Sequence, residues 1–261
     1  MLPQATPPPP LTTTPVLAPT ALPTPTALAA AAALCALLTI AGEPWALDQP
    51  WLRFVFKPLT TLLIIAYAWP RGRAMPLPRR WILAGLGLSL VGDVALLWPE
   101  QGFLPGLVAF LLAHLAYLRA FTHERRFAAW PLAFVGYALV AGLILAALWP
   151  GVPTALRGPV LAYVICLAAM AAQALVLFRT ARHTPRAPYA ALLALGGALF
   201  VVSDALLATN RFGGGLPMSG LWILSSYWLA QWCIASWLTP VRTPEVPGLA
   251  ELPVLLDEHR R

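Results

Sequence analysis

Between residues 27 and 238 the chain is a succession of long apolar segments, and no other feature restricts its possible folds so far. They run over about 27–42, 52–69, 81–98, 102–121, 128–149, 157–179, 187–209 and 217–238. A helix needs about 20 residues to cross a hydrocarbon core of about 30 Å, and most of these segments reach that length; the first is short. A backbone in lipid must satisfy its own polar groups, which segments of this kind do as helices. Trp and Tyr gather near the segment ends, where an interfacial belt places them. The expected fold is an all-α membrane protein, a multi-pass bundle of about eight transmembrane helices.

Composition supports this. Of 261 residues, 59% are hydrophobic and 10% charged, whereas charged residues make up about a quarter of a soluble domain. The formal charge of +7 would suit nucleic acid if the basic residues formed one face, but they fall in short clusters between apolar segments, so no nucleic-acid partner is expected. Arg71, Arg73, Arg79 and Arg80 follow the second segment. Arg119, Arg125 and Arg126 close the fourth, Arg179, Arg182 and Arg186 the sixth, and Arg242, Arg260 and Arg261 follow the eighth. The opposite loops hold only Arg53, Arg157 and Arg211. This bias places both termini in the cytoplasm. The richness in Ala and Pro, with Arg in place of Lys, points to a bacterial cytoplasmic membrane. Three regions are expected: a disordered Pro/Thr/Ala-rich tail over 1–26, a transmembrane domain over 27–239, and a poorly ordered tail over 240–261. No basic stretch precedes the first apolar segment, so the leader is expected to be retained. Cys35, Cys166 and Cys233 stand alone in apolar segments without metal-site spacing; they read as small buried hydrophobes, and no metal or cofactor is expected.

The obvious ionisable groups inside the segments are Lys57, Asp93, His114 and Asp204. A charge at the centre of a bilayer costs at least about 2.5–3.5 kcal/mol, which makes such groups functional candidates. The two aspartates echo one another, in SLVGDVALL around Asp93 and FVVSDALLA around Asp204. At about 1.5 Å per residue, Lys57, Asp93 and Asp204 each lie about 8 Å below the outer boundary, and His114 about 18 Å below it. Three charges at one depth can neutralise one another, which predicts a polar cavity in the outer half of the membrane. Helical spacing adds to it. Ser89, Gly92 and Asp93 share one face, Lys57, Thr60 and Thr61 another, and Tyr227 and Gln231 stand one turn apart, as do His114 and Tyr117. Asn210 closes the seventh segment.

Each residue also has a structural reading. Lys57 with one aspartate could be an ion pair that sets helix register, although the second aspartate then lacks a cation. His114, Tyr227 and Gln231 could be interhelical hydrogen-bonding groups, Ser89 and Ser203 packing residues, and Asn210 a helix terminator. The functional reading is an acid–base pair, with one aspartate ionised beside the cation and the other holding its proton. The residues alone leave the scissile bond open.

The ordered set FVFKPLT, GLGLSLVGDVALL, AHLAY, GALFVVSDALLATNRF and SYWLAQW resembles the YhhN-type membrane proteins, whose animal members include transmembrane protein 86, the lysoplasmalogenase. The resemblance covers roughly residues 30–238. It implies a lipid-metabolic hydrolase that cleaves the vinyl-ether bond of lysoplasmalogens, an ether-lipid class, to a fatty aldehyde and a glycerophospho-alcohol. Asp93 and Asp204 would then share the acid and base roles. Lys57 would tune them or hold the phosphate, and His114, Tyr117, Asn210, Tyr227, Gln231 and Ser89 would bind or orient substrate or water. Two rivals use similar groups. An intramembrane aspartyl protease usually carries G-x-G-D, but Leu90 stands at the first glycine. A proton-coupled transporter of small molecules or lipids could use the same Asp, Lys and His groups as a relay.

Overall fold

The computed structural model describes residues 24–240; the leader up to residue 23 and the tail beyond 240 lie outside the described residues. Among the described residues there are eight α-helices and no strand. They are α1 Pro25–Ala41, α2 Pro50–Ala68, α3 Pro76–Ala95, α4 Phe103–Glu124, α5 Pro131–Leu148, α6 Arg157–Ala181, α7 Ala187–Phe212 and α8 Ser219–Ser236. Proline decides where many of them start. Pro25, Pro50, Pro76, Pro131 and Pro188 all stand in first turns, where the ring's fixed φ is already helical and the missing N–H has no helical partner to lose. Thr24 caps α1 by accepting from the Ala27 amide at 3.2 Å, so this helix begins two residues before the expected boundary. Pro76 opens α3 five residues earlier than expected and draws Arg79 and Arg80 into its first turns.

Five helical stretches are long and apolar enough to cross a membrane: Pro50–Ala68, Phe103–Glu124, Pro131–Gly151, Thr154–Ala181 and Ala187–Phe212. The chain is an integral membrane protein. Length and composition thus account for five of the eight expected crossings. α1 is apolar but has 17 residues, α3 carries Arg79, Arg80 and Asp93, and α8 is diluted by Ser, Gln, Trp and Tyr.

Consecutive helices pack as neighbours from α1 to α4 and again from α5 to α8, with α4 on α6 and α8 returning to α1, α2 and α3. α5 is left outside, against α6 and the edge of α7. Only Ala133 is buried along it, and Leu139 and Leu143 point outward. The bundle centre holds Leu86, Tyr117, Phe121, Met170, Phe200 and Ile234. Cys35, Cys166 and Cys233 are buried and unpaired. At the end where α2, α4 and α6 finish, Arg79 donates to the Arg71 carbonyl at 3.0 Å and Arg186 pairs with Glu124 at 3.0 Å.

Because lipid is as apolar as a leucine side chain, helices in a membrane associate through close packing and hydrogen bonds. The small face of α3 provides that packing. A methyl group on Gly85 would run into the Tyr117 ring, and one on Gly92 would come within 2.5 Å of the Phe110 ring. On α5, a methyl on Gly142 would meet nothing within 4 Å. Gly85→Ala is therefore expected to lower stability by about 1–3 kcal/mol through overpacking, and Gly142→Ala to leave it unchanged or slightly raised. Thermal unfolding in detergent reads both; equal effects would contradict this packing.

Candidate active site

Asp93 lies in the last turn of α3 and is 1% exposed. Its Oδ2 accepts from Thr61 Oγ1 of α2 at 2.6 Å and from Tyr227 Oη of α8 at 2.9 Å. The chain of donors continues behind Tyr227. Gln231 Nε2 donates to Tyr227 Oη at 3.1 Å, and Tyr117 Oη of α4 donates to Gln231 Oε1 at 2.6 Å. Trp228 Nε1 supports Thr61 from the other side at 3.3 Å. One carboxylate thereby ties together α2, α3, α4 and α8, with every bond oriented towards it. Asp204 sits two turns before the end of α7, which runs on to Phe212. Its Oδ2 accepts from Tyr163 Oη of α6 at 2.6 Å.

Both aspartates line a single cavity of about 360 Å³ at the end of the bundle where α1, α3 and α7 finish. Lys57, Tyr227, Ser203 and Asn210 also reach it. Arg53, Arg211 and Glu43 line it too, so three cations and three carboxylates share the space. Among the described residues the one ion pair within 4 Å is Arg186–Glu124, at the opposite end of the bundle. Lys57 is buried yet has no such partner. The charges expected to neutralise one another thus share a cavity without contact: Thr61 and Tyr227 occupy Asp93, and Tyr163 occupies Asp204. Arg53 Nε is likewise buried without a hydrogen-bond partner among the described residues. Burial pushes the Glu43 carboxyl above the ordinary carboxylate range, and the Arg53 and Lys57 cations draw it part of the way back.

The remaining expected site residues divide by position. Tyr117 and Gln231 are fully buried behind Tyr227 and support it without lining the cavity. Ser89 is buried at the α3–α4 contact with its hydroxyl unpartnered among the described residues. His114 also stays outside the cavity. Its ring packs edge-on against Phe200 and Tyr163, at 4.6 and 5.2 Å between centroids, with both nitrogens unpartnered among the described residues. Asn210 accepts from the Leu216 amide at 2.9 Å and so braces the glycine-rich turn after α7. Ser203 donates to the Ile223 carbonyl at 3.0 Å. Among the described residues no three His, Cys, Asp or Glu side chains gather to hold a metal.

Sequence reasoning missed Tyr163, Trp228 and Glu43 as site groups, and took Arg53 and Arg211 only as markers of orientation. A tyrosine six residues inside an apolar segment, away from the interfacial belt, was the available signal for Tyr163. Glu43 carried none, because it stands in a connecting turn and reaches the cavity only through packing beside Gly220.

A second, smaller cavity of about 90 Å³ lies between α4, α5, α6 and α7. Its wall is apolar apart from Tyr163 and Asp204, and it shares Asp204, Phe103, Phe110, Leu96 and Leu207 with the first cavity. The arrangement offers the two aspartates, hydroxyl donors and cations that have no ion-pair partner among the described residues, at a polar–apolar seam.

The model described as the YhhN family matches residues 52–238. The chain is similar to lysoplasmalogenase TMEM86A of Homo sapiens, 34% identical over 168 residues, covering 62% of this chain and 67% of that protein. It is 32% identical to lysoplasmalogenase TMEM86B of Rattus norvegicus over 206 residues, 76% of this chain and 77% of the relative. It is also 40% identical to the uncharacterized membrane protein YhhN of Escherichia coli O157:H7 over 100 residues, 38% of this chain and 47% of the relative. No solved structure matches it significantly.

The hydrogen-bond chain behind Asp93 has a testable cost. Gln231→Leu leaves the buried Tyr117 hydroxyl without its acceptor and is expected to destabilise by about 1–3 kcal/mol. Adding Tyr117→Phe removes the orphaned hydroxyl and should restore part of that loss, so the double variant falls short of the sum of the singles. Additive losses in detergent unfolding would break the proposed link.

Proposed function

The chain belongs to the YhhN family, and from that premise we propose that it hydrolyses the vinyl-ether bond of lysoplasmalogen-type lysophospholipids, releasing a fatty aldehyde and a glycerophospho-alcohol. The names carried by its mammalian relatives support a lysoplasmalogenase-like hydrolase. The observation that carries the mechanism is the single cavity faced by two carboxylates from different helices, at a seam between polar and apolar walls. Nothing in the comparisons favours the transporter reading.

Enol-ether hydrolysis begins with proton transfer to the vinylic carbon remote from oxygen, which a positioned acid accelerates. Asp204 stands on the seam and serves as this acid, steadied by Tyr163. Protonation leaves an oxocarbenium ion across the carbon–oxygen bond. Asp93, held by two hydroxyl donors on one oxygen, faces that positive charge and takes a proton from the water that adds to the carbon. The resulting hemiacetal then breaks its bond to the glycerol oxygen. As the aldehyde carbonyl forms, Asp204 takes back the hemiacetal hydroxyl proton and Asp93 passes its proton to the leaving glycerol oxygen, so both groups are reset and the net reaction consumes one water. Lys57, Arg53 and Arg211 have no carboxylate in ion-pair contact among the described residues, and this suits them to the lysolipid phosphate. Tyr227 aligns Asp93, with Gln231 and Tyr117 supporting it.

If α1, α3 and α8 also cross, the bundle has eight spans and both termini lie in the cytoplasm. The arginine-rich end is then cytoplasmic and the cavity belongs to the outer half of the membrane.

Detergent-purified protein is expected to release aldehyde from a lysoplasmenyl lipid. Asp204→Asn and Asp93→Asn should each lower the rate by about 10²–10⁴-fold while remaining folded. Release unaffected by either substitution would sink the paired-aspartate mechanism, and no release from any lysoplasmenyl lipid would sink the reaction.

A further inference from the structure

The smaller cavity has no role in the chemistry above, yet it opens on the same aspartate. We infer that it is the binding site for the alkenyl chain of the lysolipid, taking its first few carbons between α5 and α7; this rests on the hydrolase reading. α5 contributes Ala141, Ile144, Leu145 and Leu148 to the wall, the spacing of one helical stripe. On the opposite side of the helix, Leu139 and Leu143 are 63% and 73% exposed and face lipid. α5 therefore separates the cavity from the bilayer, with only Ala133 buried along its own length.

The occupant follows from the wall and its two ends. Among the described residues the only polar side chains on the wall, Tyr163 and Asp204, hydrogen-bond to one another. Beyond Asp204 the space turns polar and contains Lys57, Arg53 and Arg211. An amphiphile with an anionic head and one apolar chain matches this sequence of surfaces, and its junction falls at Asp204. In a lysoplasmalogen that junction is the vinyl ether. The volume of about 90 Å³ equals about three water-sized groups, so the site grips the proximal carbons and the rest of the chain continues past α5 into lipid. Chain recognition is therefore sensitive to the start of the chain and indifferent to its far end.

Aldehyde release would be compared for two lysoplasmenyl phosphocholines, one with a hexadec-1-enyl group and one with an ethenyl group, which has no carbon beyond the reacting double bond, using wild type, Ala141→Phe and the outward control Leu143→Phe. Wild type should prefer the long chain by more than tenfold in kcat/KM. Ala141→Phe should lower kcat/KM at least tenfold for the long chain and less than twofold for the short one, while Leu143→Phe resembles wild type. Equal losses on both substrates, or no loss in a folded Ala141→Phe protein, would overturn the chain site. Photolabelling of wild type keeps the test independent of turnover. An alkyl-ether lysophosphocholine with a diazirine a few carbons from the ether oxygen should label the segments around 141–148, 160–167 and 201–208. Unlabelled lysolipid should compete with this labelling, and diacyl phospholipid should not. Label found only elsewhere, or displaced equally by diacyl lipid, refutes the site. Release from neither substrate together with specific labelling would refute the hydrolase reading and leave the chain site standing.

Discussion

A carboxylate inside an apolar bundle must find donors within the protein, because no solvent replaces them in lipid. Asp93 finds two, from helices distant in sequence, and behind them stand Gln231 and Tyr117. The arrangement of α2, α3, α4 and α8 depends on this requirement. Removing a donor leaves a buried acceptor short of partners, and moving any of the four helices breaks the line. Asp204 makes a lighter demand, met by Tyr163 alone, and links α7 to α6.

Close packing makes these bonds possible. Gly85 stands eight residues before Asp93, and Gly196 eight before Asp204. In each case a missing side chain lets a neighbouring helix approach: the Tyr117 ring of α4 at Gly85, and the backbone and side chains of α8 at Gly196. The repeated sequence around the two aspartates thus marks a repeated structural device, a carboxylate near one end of a helix and a glycine two turns below it. The partners differ. Asp93 is enclosed, whereas Asp204 remains partly accessible at the junction of two cavities. Two hydroxyl donors on Asp93 against one on Asp204, with Asp204 at the junction of the cavities, are the basis for assigning the anion and acid roles.

Much of this was readable in the chain because a membrane limits the alternatives. Apolar segment length foretold helices, and prolines marked many of their starts. The grouping of Lys57, Asp93 and Asp204 in one cavity followed from counting residues from the segment ends. The resemblance carried by the Lys-Pro, Gly-Asp, Ser-Asp and Tyr-x-x-x-Gln positions agreed with the matched family. His114 shows where such reasoning weakens. A histidine in an apolar segment looks like a catalytic group, but its rotation about the helix axis sets its neighbours, and here they are aromatic rings outside the cavity.

The sequence by itself determined the helical class, the membrane setting and the set of charges, since apolar run length and the cost of buried charge act on each segment separately. Tertiary structure decided which donors serve which aspartate, that Lys57 stays out of ion-pair contact among the described residues, and that Tyr163 and Glu43 join the site. It also decided that α5 stands apart and covers a second, largely apolar cavity. These features depend on the rotation and lateral order of helices that are neighbours in space, and hydropathy along one chain carries no record of either.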